Sequence, residues 1–300
     1  MNGTSKSTNI EATEFNGQPA WRLTRPSGAQ ATILNHGAHL VSWCVADGLE
    51  RLYLSPQSSF APGKAVRGGV PVIFPQFSNF GPDHNAPRHG FARHRIWQRN
   101  KEVPGLCLCL RSDPQTLELW PYAFELAMQF ELDDTQLKLK LTAHNVGNAD
   151  FAFSAALHSY FRVQDMKSLH VCGLEQVGYY DSVAGREANA QGQPLSIDGE
   201  LDRIYWNAPV ELQLQEATRS LAICCTGFHD AVVWNPGAAR CAELSDMPAD
   251  GWQNMICVES AQIAKPVRLA PMESWVAEQV LLAITPMPRQ SPCMKLPRNT

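Results

Sequence analysis

A histidine closing one apolar run and a glutamate closing another are the residues of this 300-residue sequence best suited to proton transfer. His158 follows Phe153-Ser-Ala-Ala-Leu and precedes Ser159-Tyr160-Phe161. Its imidazole changes charge near neutral pH, so it can act as a general acid; it can equally be a core residue bonded to a carbonyl. Glu259 lies in Met255-Ile-Cys-Val-Glu259-Ser-Ala-Gln262. Burying an unpaired carboxylate is costly, so such a residue is paired, sits at a strand edge or serves as a base. Asp202, in Asp202-Arg203-Ile-Tyr205, is a further acid beside an apolar pair, or part of an ordinary turn.

Cations mark two further places. Arg88, His89, Arg93, His94 and Arg95 fall within eight positions, with Pro87 and Gly90 shaping the loop. An arginine fork matches the oxygen spacing of phosphate or carboxylate, so this loop reads as an anion site or as a solvated basic surface. Arg67-Gly-Gly-Val-Pro-Val-Ile-Phe-Pro-Gln76 is the second place. Its two glycines permit close backbone approach and its prolines fix the exit, a pattern that also suits a plain strand entry.

These groups need rigid elements to hold them, and the commonest period in the chain is two. Leu137, Leu139 and Leu141 alternate with Lys138, Lys140 and Thr142. The same alternation marks 105–112, 124–132 and 210–215, and further β-like runs occupy 40–45, 151–157, 220–225 and 275–284. Short turn-rich breaks between them predict an all-β fold, a sandwich or barrel. Helical signals are few: Asp113-Pro114 opens a short helix through Leu119, and one brief turn follows Asp246. No strand–helix–strand alternation and no glycine-rich phosphate loop occur, which disfavours nucleotide enzymes of those folds.

Composition narrows the class further. Hydrophobic residues make up 44% and charged residues 18%, which excludes disorder for most of the chain. A formal charge of −4 argues against a generally basic nucleic-acid binder. No apolar run is long enough for a membrane-spanning helix, and the first residues do not read as a secretory signal. Nine cysteines, an odd number without a Cys-x-x-Cys pair, favour reduced thiols and a cytoplasmic location. A metal site built from His89, His94 and His158 lacks regular ligand spacing, so no metal is expected. The expected organisation is a flexible N-terminus over 1–14, one β-sandwich domain over 15–285 and a disordered proline-rich tail over 286–300.

Taken in order, RGGVPVIFPQF, PRHGFAR, ALHSYF, DRIY, DAVVWNP and MICVESA resemble the aldose 1-epimerase (galactose mutarotase) superfamily. The likeness is stronger to its glucose-6-phosphate 1-epimerase branch and runs from about residue 15 to about residue 285. It implies a large antiparallel β-sandwich with few short helices. It also implies His158 as general acid, Glu259 as general base, and His89 and Asp202 as holders of sugar hydroxyls. Arg67, Gln76, Arg88 and Arg93 become polar groups of the pocket, the arginines gripping phosphate. His84, His94 and Arg95 gain no role from it. The implied reaction interconverts the α and β anomers of glucose 6-phosphate by opening and reclosing the ring, with base and acid on opposite sides of the sugar and no cofactor. His158 is expected as the imidazolium and Glu259 as the carboxylate. A small sugar phosphate is the expected partner, with neither nucleic acid nor membrane, and the chain is expected to be a monomer. The alternatives are a mutarotase for unphosphorylated aldoses and a non-catalytic sugar-phosphate-binding protein on the same fold.

Overall fold

Where polar and apolar residues alternate, the chain forms strands that bury one edge of the pattern. In Gln136–Asn145 every second residue from Leu137 to Ala143 is buried, and Phe124–Leu132 beside it does the same. The computed structural model describes residues 7–61, 63–80 and 87–284. His84 and the 286–300 tail lie outside them. Two eight-stranded antiparallel sheets carry most of the chain. In the first, the strands run Arg186–Ala188, Tyr179–Asp181, Leu201–Tyr205, Asp230–Asn235, Met255–Leu269, Phe151–Leu157 and Val72–Ile73, with Tyr160–Arg162 also pairing to Met255–Leu269. The second runs His170–Cys172, Glu211–Gln215, Ser220–Thr226, Ser274–Ile284, Gln136–Asn145, Phe124–Leu132, Leu106–Arg111 and Gln98–Arg99.

The core lies between these sheets. Ala231, Val233, Ile256 and Val258 of the first meet Leu137, Leu139, Leu141 and Leu281 of the second in one buried cluster. Burying each leucine stabilises the fold by about 1.5–3 kcal/mol over leaving it exposed. Two short α-helices occur among the described residues, Pro114–Leu119 and Gly237–Ala242. Asp113 caps the first, accepting the Thr116 N–H at 2.7 Å, with Pro114 at its first position. No helix among the described residues is long and apolar enough to cross a membrane.

The N-terminal expectation is corrected. Residues 9–14 are not a loose lead-in but most of the strand Asn9–Phe15, the edge of a four-stranded sheet. It pairs with Gln18–Thr24 across Asn16-Gly17, whose φ angles of 48° and 75° form a two-residue hairpin turn. Both central residues of that turn need positive φ, which asparagine and glycine adopt most readily. The Asn-Gly pair was the signal for this hairpin, and its polar strand Asn-Ile-Glu-Ala-Thr-Glu masked it.

Candidate active site

Strand register builds the floor of the site. Along Met255–Leu269, Ile256 and Val258 enter the core between the sheets, so Cys257 and Glu259 face the other way. Val232 pairs with Glu259 and Trp234 with Cys257; one strand further on, Ile204 pairs with Val232 and Asp202 with Trp234. On the opposite flank Leu157 pairs with Ser260 and Tyr160 with Cys257, which brings His158 level with Glu259. His158 Nε2 lies 3.3 Å from Glu259 Oε1. Both line a cavity of about 900 Å³, together with Asp202, Tyr160, Trp234 and the loop residues Arg67, Arg88, His89 and Arg93.

Loops supply the rim. His89 holds φ at +62°, and its Nδ1 accepts the Ser78 N–H at 3.3 Å while its ring meets that of His158 edge-on, centroids 5.8 Å apart. Gly90 follows because a Cβ there would meet the Phe74 carbonyl oxygen at 2.0 Å. Arg67 is held on three sides: Nε and Nη2 pair with Asp246 at 3.1–3.2 Å, and Nη1 donates to the Tyr160 hydroxyl at 3.1 Å. Tyr160 in turn stacks on His158, centroids 4.8 Å apart and planes 10° from parallel. Arg93 has neutral supports instead. Its Nε donates to His94 Nε2 at 3.3 Å and an Nη2 hydrogen points to the Arg88 carbonyl at 3.4 Å. Burial, and then Arg93 itself, push His94 down to about 4, so its ring is neutral and accepts that bond. Arg88 and Arg93 make no ion pair among the described residues, whereas Arg67 and Arg240 are paired to Asp246 and Glu243.

Burial governs the electrostatics of the floor. The Glu259 side chain is 2% exposed and that of His158 12%. Burial, reinforced by His89, Arg93 and Arg67, holds His158 well below the usual histidine range. Burial and the neighbouring Asp202 push Glu259 well above the usual carboxylate range, with Arg93 opposing. His89 falls to about 3 for the same reasons of burial and nearby arginines, and burial raises Asp202. Both shifts run toward the neutral forms, a carboxylic acid and a neutral imidazole, which share one proton across the contact. The imidazolium–carboxylate form carries the same net charge and differs only in where that proton sits.

Two sequence expectations change here. Acid and base do not stand on opposite sides of a sugar-sized space but side by side, because strand register sets them level on neighbouring segments. Burial on this floor works against the charged forms of both residues. Gln76 also departs from the pocket. It is buried, its amide donates to the Ser78 carbonyl at 3.2 Å, and it is absent from the cavity wall that Phe77 and Ser78 form. Sequence reasoning passed over Tyr160, Trp234 and Asp246. Tyr160 lies two positions beyond His158 and so shares its face, a signal open to period-two reading. Asp246 reaches Arg67 only through tertiary structure and had no such signal. Among the described residues no three His, Cys, Asp or Glu side chains converge in a metal-binding arrangement.

Comparison with known proteins bears on the fold and the family. A protein of Cenchrus ciliaris named "Putative glucose-6-phosphate 1-epimerase" is 33% identical over 270 residues, covering 85% of this chain and 81% of its own. A Salmonella typhimurium protein of the same name is 34% identical over 247 residues, covering 79% and 81%. Among solved structures, that of a "putative mutarotase" from Salmonella typhimurium superposes with a TM-score of 0.83 at 28% identity, over 92% of this chain and 94% of the other. A galactose 1-epimerase from Lactobacillus acidophilus shares the fold, with a TM-score of 0.70 at 17% identity over 94% and 99% of the two chains. The sequence pattern of the family described as Aldose 1-epimerase matches residues 19–282. With a match of that extent, this chain belongs to the aldose 1-epimerase family.

Proposed function

We propose that the protein is a hexose-6-phosphate mutarotase that interconverts the α and β anomers of glucose 6-phosphate. The observation that carries the reading is the His158–Glu259 contact on the cavity floor beneath Arg88 and Arg93, two arginines without a carboxylate partner among the described residues. A 6-phosphate brings close to two negative charges and several acceptor oxygens, which suit multi-donor cations. The names of the relatives at 33% and 34% identity point to the same substrate. Arg67 adds directed N–H donors while Asp246 balances its charge.

The reaction needs one proton removed and one delivered. Glu259, as carboxylate, takes the proton of the C1 hydroxyl. His158, as imidazolium, gives its proton to the ring oxygen as the C1–O5 bond breaks, leaving the open aldehyde. Both oxygens are bonded to C1, so an acid and base side by side reach them together. Rotation about C1–C2 and the reverse transfers close the ring on the other face, and the pair begins and ends with one proton. A phosphate on the arginines cancels part of the positive potential that depresses His158, and so favours moving the resting proton from Glu259 onto the imidazole. In this reading Asp202 and His89, which both line the cavity, hold hydroxyls of the sugar.

We read residues 15–285, extended by the hairpin to Asn9, as one mutarotase-like unit. The eight unbridged cysteines among the described residues fit a reducing compartment such as the cytoplasm. The functional test follows freshly dissolved α-glucose 6-phosphate by one-dimensional NMR. The parent protein should hasten the approach to the anomeric equilibrium, and Glu259→Gln should return it to the spontaneous rate. An unchanged rate with the parent protein overturns the proposal.

A further inference from the structure

We propose that Gln279, fully buried between the two large sheets, is a positioning residue that clasps the two backbone segments carrying His158 and Glu259 from behind. The inference rests on the reading of those two residues as the acid–base pair. In Ser274–Ile284 the inward positions are Ala277, Gln279, Leu281 and Ala283, so one polar side chain interrupts an apolar face. Its Oε1 accepts the Ser159 hydroxyl at 2.8 Å and its Nε2 donates to the Ser260 hydroxyl at 2.8 Å. Ser159 directly follows His158 and Ser260 directly follows Glu259. Neighbouring side chains project to opposite faces, so the two hydroxyls reach the core while the acid and the base reach the cavity. One amide thus ties together the two positions immediately behind the chemistry.

The clasp sits at a break in the regular strand register. Between Leu157 and Tyr160 the regular pairing is interrupted: the His158 N–H goes to the Pro71 carbonyl and the Ser159 N–H turns back to the Leu157 carbonyl. The backbone still reaches Met255–Leu269 once here, the Ser159 carbonyl accepting the Val258 N–H at 3.2 Å, and the side-chain tie through Gln279 adds a second hold on this segment. The three polar groups are fully or nearly fully buried, at 0% exposure for Ser159 and Gln279 and 3% for Ser260. Inside the core such bonds are directional and stiff, and a partner removed there is not replaced by water.

The test compares Gln279→Leu with the triple variant Ser159→Ala/Ser260→Ala/Gln279→Leu, measuring kcat and KM for glucose 6-phosphate anomerisation alongside the melting temperature. Gln279→Leu leaves two hydroxyls stranded, so it should melt lower and lose about 10- to 100-fold in kcat with KM nearly unchanged. The triple variant leaves no buried hydroxyl without a partner, so its melting temperature should return toward the parent's. Its kcat should stay low, because the tie between the two segments is still missing. A stable triple variant with the parent's kcat would make the network merely structural and overturn the proposal. That variant decides the matter alone if Gln279→Leu fails to fold. A parent protein without anomerase activity overturns the functional reading, and the clasp's role with it.

Discussion

On the cavity floor, His158 and Glu259 are set by strand register, in contact and nearly dry, and burial drives both toward their neutral forms. At the rim, Arg88 and Arg93 come from a loop shaped by His89 and Gly90, and their hydrogen-bond supports are neutral where any are seen. On the proposed reading the floor is where a proton moves, and it keeps little net charge. At the rim neither Arg88 nor Arg93 is in ion-pair contact with a carboxylate among the described residues, although Asp202 lies within electrostatic reach of Arg88. On that reading, separating the two duties lets one site hold a charged phosphate without a permanent ion pair at the reacting carbon.

Substitutions on the floor should strike turnover and those at the rim should strike binding. The largest effect is expected for Glu259→Gln and His158→Ala, each lowering kcat for glucose 6-phosphate by about 10²–10⁴. Near-parent kcat in either, measured by coupled assay, would break the assignment of the floor. Next come Arg88→Ala and Arg93→Ala. Each should raise KM for glucose 6-phosphate by an amount equivalent to about 1.5–3 kcal/mol, the range for a hydrogen bond to a charged group. The slower reaction of free glucose should hardly change, and added salt should weaken only the phosphorylated substrate. Equal losses for both sugars would mean that the rim supports the fold or the reacting end.

A pH experiment sharpens the link between floor and rim. His158 lies well below the usual 6.5 because of burial and then His89, Arg93 and Arg67. It should stay neutral as pH falls through the ordinary histidine range, and NMR of its ring should show no step between about pH 8 and pH 6. Inorganic phosphate bound at the rim offsets those arginines, so the ring's pKa should move up; a downward move contradicts the coupling. The smallest effect belongs to Asp246→Asn. Arg67 keeps its bond to Tyr160 but loses its ion pair, and the change in KM should correspond to about 1 kcal/mol or less.

The floor was more legible in the sequence than the rim. Runs such as Phe124–Leu132 and Gln136–Asn145 announce their own boundaries, because a half-buried strand must alternate. Glu259 was recognisable as an anomaly in an apolar strand for the same reason. The facts that decide the chemistry are long-range. That His158 comes level with Glu259 depends on pairing across about a hundred residues, and that Asp246 partners Arg67 depends on loop placement. Gln76 shows the converse: a motif residue whose side chain turns to the Ser78 carbonyl and never meets the cavity. Gln279 was visible only as one polar residue in an inward row, and what it holds emerged with the sheets packed.

The most direct test of the account follows both sugars in one sample. Equilibrated glucose 6-phosphate and glucose at equal concentration, with a catalytic amount of the parent protein, are observed by two-dimensional exchange NMR. Cross-peaks between the α and β anomeric signals of glucose 6-phosphate should grow strongly while those of glucose stay near the protein-free level. Equal growth for the two sugars, or none for the phosphorylated one, would contradict it.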